Sequence, residues 1–132
     1  MWLVAGFALW IIPVLAYRYT RRSIPSHVYC ITGIALGSVA SAASMGTYAL
    51  YWLVGPFGLI ALPLALLGMV GLELSLIHET PGFLLATALG LRSGGVVHGI
   101  EFVYIESLNA IIWAIVYGSI GYVLDKLRTR GS

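Results

Sequence analysis

The chain has 132 residues, of which 60% are hydrophobic and 9% charged, and a mean hydropathy of +0.96. A soluble domain carries about 25% charged residues, so seven basic and five acidic side chains are too few to cover a globule facing water, and the chain reads as an integral membrane protein. The net charge of +2 comes from a handful of Arg and Lys near segment ends, which excludes a nucleic-acid surface. The single Cys30 excludes an intramolecular disulfide, a Cys-rich zinc site and an iron–sulfur cluster.

A spanning helix needs about 20 apolar residues. Met1 to Tyr17 just meets this, with Trp2 and Trp10 as aromatic anchors and Pro13 as a bend. The run opens without a charged leader or a small-residue cleavage site and reads as a retained helix, stopped by Arg18, Arg21 and Arg22. After Pro25 a second run extends from Val28 to about Tyr51, closed by the aromatic cluster Tyr48, Tyr51 and Trp52 and by Gly55-Pro56. The third run, Phe57 to Ile77, is long enough to cross, with a kink expected at Pro63 and close approach allowed by Gly68 and Gly71. Residues 78–95 hold an apolar core, Phe83 to Leu91, too short to span and bracketed by Thr80-Pro81-Gly82 and Ser93-Gly94-Gly95; this predicts a short interfacial or re-entrant helix. A last helix begins near Val96 or Gly99 and ends at Leu124, where Asp125, Lys126, Arg128 and Arg130 enter water. The expectation is one all-α, polytopic transmembrane domain over residues 1–132, with about four transmembrane helices and a short helix between the third and fourth.

Small residues recur at i, i+4 spacing on two helices. Gly33, Gly37 and Ser41 form one row on the second, and Ser38, Ala42 and Gly46 another; Ala110, Ala114 and Gly118 form a row on the last. Lipid gives apolar helices no hydrophobic reason to associate, so such rows mark close packing. They suit either the protein's own bundle or an oligomer seam. Two small faces place the second helix centrally or between protomers.

Charge placement makes the topology strain. Basic loops prefer the cytoplasm, yet four crossings put Arg18, Arg21 and Arg22 on one face and Lys126, Arg128 and Arg130 on the other. A fifth crossing through 78–95, a hairpin in the third run, or dual insertion would each relieve this. The fifth crossing would bury Arg92, at about 2.5–3.5 kcal/mol.

The remaining ionisable residues concentrate in one stretch: Glu73, His78 and Glu79, then His98, Glu101 and Glu106, with Asn109 a turn deeper. At 100° per residue Asn109 falls within about 20° of His98, with Glu101 and Glu106 flanking that line. Such residues sit at headgroup level, or line a path for protons or cations. A metal reading pairs His98 and Glu101 with His78 and Glu79, but one His-x-x-Glu pair falls short of the repeated motif of bundle metal sites; no metal and no cofactor is expected. No hydrolase elbow, zinc-protease run, Walker loop or dinucleotide fingerprint is present, so no enzyme is expected either.

In outline the chain is similar to the small multidrug transporters, with four apolar segments, a short length, an ambiguous charge bias and membrane carboxylates. Those transporters carry an essential glutamate in their first helix, whereas Met1 to Tyr17 contains no carboxylate. The likeness is one of architecture and transfers no residue. The function expected is that of a small non-enzymatic protein acting by helix association with a membrane partner, as an accessory, regulatory or immunity-type component. The alternative is a homo-oligomeric channel or proton- or cation-coupled transporter using the membrane carboxylates. Its partners are the lipid bilayer and a second copy or another membrane protein, with no nucleic acid, and short loops suggest a bacterial inner membrane.

Overall fold

A computed structural model describes residues 6–54, 62–92, 97 and 99–130. Among these, the regular elements are all helical: α1 (Ile11–Ser23), a 3-10 turn (Pro25–His27), α2 (Val28–Val54), α3 (Leu62–Ala88) and α4 (Gly99–Arg130). The helices α2, α3 and α4 are each long and apolar enough to cross a membrane. The protein is therefore a helical bundle suited to a bilayer. The expected crossing Met1 to Tyr17 lies partly outside the described residues. Its described part continues through Arg18, Arg21 and Arg22 to Ser23, where cations at a helix C-terminus are favoured by its dipole. Pro13 lies in the first turn of α1, where a missing N–H leaves no bond unmade.

Helix α2 is the hub. Its Gly33 and Gly37 lie so close to α4 that a Cβ would collide with the carbonyls of Tyr117 and Trp113. In return, Gly121 of α4 sits against the Tyr29 carbonyl, and a Cβ on Gly118 would lie 2.7 Å from Ile34. The pairs 29–121, 33–117 and 37–113 run in opposite order, so α2 and α4 are antiparallel. The second small row of α2 serves the segment leading into α1: Gly46 touches the Gly6 backbone, and Trp10 donates its indole N–H to Thr47 Oγ1 at 2.8 Å. Gly68 and Gly71 of α3 admit Tyr51, Tyr48 and Thr47. Gly33, Gly37, Ala42 and Gly46 on α2 are thus packed within the chain, while Ser38 is exposed.

The separate short helix expected over 78–95 is not formed. Residues 78–88 are the final turns of α3, which runs through Pro81 without ending. Pro63 lies in the first described turn of α3, and residues 57–61 of the expected run lie outside the described residues. The helix stops instead at Gly90, whose φ of +68° closes a Schellman motif. Its two bonds run from Leu91 N–H to Ala86 O at 2.9 Å and from Gly90 N–H to Thr87 O at 3.1 Å.

The start of α2 is capped from a distance. Ser26, just before the helix, shares a hydrogen bond with His27 Nδ1 at 2.7 Å. Asp125, only 3% exposed, accepts from the amides of Tyr29 at 3.2 Å and Cys30 at 2.8 Å instead. Arg128, one turn on, donates to the Pro25 carbonyl and lies over the Tyr29 ring. The end of α4 is thereby pinned to the start of α2. Asp125 does not enter water with Lys126 and Arg130 as expected.

Candidate functional site

A polar core lies where α2, α3 and α4 meet, organised by the sequence His78-Glu79-Thr80-Pro81-Gly82. Proline inside a helix removes one N–H and crowds the carbonyl four residues back. Here α4 engages the backbone beside the proline. Gly82 N–H donates to Asn109 Oδ1 at 2.6 Å, and the His78 carbonyl accepts from Trp113 Nε1 at 2.9 Å. These two backbone groups are the donor and acceptor of a single i→i−4 step. Asn109 and Trp113 are themselves four apart, so they share one face of α4 and reach one break in α3. Gly82 is required: a Cβ there would overlap the Asn109 side chain. This side-chain clamp is why α3 continues where its sequence predicted an end.

Asn109 is fully buried, and its Nδ2 has no hydrogen-bond partner among the described residues. His78, 4% exposed, is held at both ring nitrogens, by Leu74 O at 2.7 Å and Tyr117 Oη at 2.8 Å. A carbonyl can only accept, so Nδ1 carries the proton in the first contact. In the neutral ring, Nε2 then accepts from the Tyr117 hydroxyl. His78, Trp113 and Tyr117 form an aromatic ladder with centroids 4.7 Å and 5.3 Å apart.

Beside this ladder the structure brings together two carboxylates. Ser41 of α2 donates to Glu106 Oε1 of α4 at 3.1 Å. Glu79 of α3 is near enough to Glu106 for their charges to interact, and Ser75 Oγ, which donates to Leu72 O at 2.9 Å, is also in reach of Glu79. Three helices thus contribute to one acid pair flanked by two hydroxyls. Carboxylates in a medium of low dielectric are costly unless paired or hydrated.

Of the other expected site residues, Glu73 is exposed on α3, away from the core. Glu101 is 8% exposed on the buried line of α4 that also carries Ile105 and Asn109. His98 lies outside the described residues. Among the described residues, no three His, Cys, Asp or Glu side chains converge on a metal-sized site. Of the small residues, Gly33, Gly37, Ala114 and Gly118 line the α2–α4 seam, Ser41 has turned to Glu106, and Ala110 is half-buried on α4. The sequence reading missed Pro81, Trp113, Tyr117 and Asp125 as participants. The available signal was a proline within an apolar run, which demands hydrogen-bond partners elsewhere.

On the outer side of the α2–α4 seam runs an open groove of about 570 Å³. Cys30, Ala114, Gly118 and Ser119 form its low points, and Ile34, Ile115, Tyr122 and Val123 its walls. The chain matches no known protein family, no curated protein and no solved structure.

Proposed function

We propose that this protein is a small, non-enzymatic, multi-pass component of a bacterial cytoplasmic membrane that works by lodging a transmembrane helix of a partner protein in the α2–α4 groove. It would serve as an accessory, regulatory or immunity-type subunit. The groove itself supports this reading. The surrounding surface bristles with exposed Ile, Leu, Val and Tyr side chains, whereas here it drops to Cys, Ala, Gly and Ser. In lipid, helices associate where small residues let backbones approach.

Cys30 is the chain's single cysteine and lies in that groove, so a photo-crosslinker attached to it samples the occupant directly. The expected result is one adduct of defined mass in native membranes, lost in Ser119→Leu, which fills the exposed floor without touching the α2 contact. No adduct, or one insensitive to Ser119→Leu, would refute the reading.

A second reading is favoured by the Glu79–Glu106 pair: a homo-oligomeric channel or carrier coupled to protons or a cation. Carboxylates shared between helices inside a bilayer are what such a carrier loads and unloads. It requires Glu79→Gln and Glu106→Gln to abolish flux in proteoliposomes while the protein stays folded. Equal flux in wild type and variants would reject it.

A further inference from the structure

We infer that the end of the bundle where α1 finishes, α2 begins and α4 finishes is a single basic platform that binds anionic phospholipid headgroups on one membrane face. Asp125 and Arg128 fasten the end of α4 to the Pro25–Cys30 segment. Arg18, Arg21 and Arg22 stand within a few residues of that segment on one side, and Lys126 and Arg130 on the other. The two clusters that a four-crossing count drives apart are therefore neighbours.

Antiparallel packing of α2 and α4 carries the same consequence for chain path. The start of α2 and the end of α4 therefore lie at the same end of the bundle, and with them both clusters.

The charge balance of the platform is one-sided. Arg18, Arg21, Arg22, Lys126, Arg128 and Arg130 are all exposed. The one acid in these segments is Asp125, buried and engaged with two backbone amides, so it stands against six cations. Six of the seven basic residues of the chain thus face outward at one end. A small cup of about 120 Å³ lies there, lined by Ser26, His27, Tyr122, Asp125, Lys126 and Thr129. Hydroxyl, imidazole and ammonium donors around a cup of this size suit the phosphate of a headgroup. Clusters of four to eight Lys or Arg beside membrane helices bind anionic lipid, and each is worth roughly a fivefold preference at the surface. Such clusters also stay on the side from which the chain inserts.

Two measurements on the full chain test this. In a Cys30→Ser background, Ser23→Cys and Thr129→Cys should react with a membrane-impermeant maleimide from the same side of oriented vesicles. Labelling from opposite sides would overturn the platform. Native mass spectrometry from micelles with equal phosphatidylglycerol and phosphatidylcholine should show at least about tenfold more phosphatidylglycerol retained. That excess should vanish when Arg18, Arg21, Arg22, Lys126 and Arg130 are changed to Gln, with helical content unchanged. Equal retention of the two lipids, or an excess that survives neutralisation, would overturn it. If the neutralised protein fails to fold, loss of the wild-type excess in 0.5–1 M salt replaces that arm, since screening removes surface attraction without mutation; an excess insensitive to salt would overturn it too.

Discussion

Replacing Asp125 by Asn tests the joint on which the bundle's closure depends. The wild-type carboxylate accepts two amides, at 3.2 Å and 2.8 Å, in a site 3% exposed. Asparagine keeps the shape but has one acceptor oxygen, so its NH₂ must face one of the two donors. A hydrogen bond to a charged group contributes about 1.5–3 kcal/mol, and a carboxylate at a helix N-terminus adds about 0.3–1 kcal/mol. One bond lost, one weakened and the charge removed total about 2–4 kcal/mol. The assay is equilibrium unfolding in bicelles together with amide exchange at Tyr29 and Cys30. A loss of about 2 kcal/mol would speed exchange there roughly thirtyfold, and Asp125→Ala should do more, because both amides then lack an acceptor. Unchanged exchange at residues 29 and 30 in Asp125→Asn would refute the cap.

Other substitutions probe the seam and the break. Gly37→Ala places a methyl on the Trp113 carbonyl and should destabilise by about 1–3 kcal/mol. Gly99→Ala, with nothing within 4 Å, should be neutral or stabilising by up to about 1 kcal/mol; equal effects in thermal unfolding would count against the seam. Asn109→Leu strips the acceptor from the Gly82 amide, at about 1–3 kcal/mol. In a Pro81→Ala background the helix can mend its own ladder, so a double-mutant cycle should give a coupling of at least about 0.5 kcal/mol; strict additivity would show that the clamp does not serve the proline. Gly90→Ala forces an L side chain into φ +68° and should cost about 1 kcal/mol, read as fraying of residues 86–91 in hydrogen exchange.

The carboxylate pair shows how far sequence reasoning reached. Glu79, Glu106 and Asn109 stood out because ionisable and amide groups are rare against so apolar a background. Which of them meet was hidden. Glu73 and Glu79 look equivalent in the sequence, yet the five residues between them turn one outward and the other to Glu106. Ser41 belonged by spacing to a packing row, and only its position opposite Glu106 made it a hydrogen-bond donor. The aromatic ladder was hidden for the same reason, since Trp113 and Tyr117 resemble ordinary interface aromatics until His78 lies beside them.

Composition alone dictated that this chain lives among apolar surroundings, because twelve charges cannot solvate 132 residues. Apolar run lengths placed α2 and α4 within a few residues, and glycine spacing marked the faces that pack. The fate of Pro81 and the place of Asp125 were decided by tertiary structure. The backbone groups beside Pro81 and a helix's open amides are local demands, and each is met by a side chain more than 25 residues away. No window along the sequence contains both partners. The antiparallel contact of α2 with α4 brings Asp125 to its amides and sets both basic clusters at one end, and the meeting of α3 with α4 brings Asn109 to Gly82.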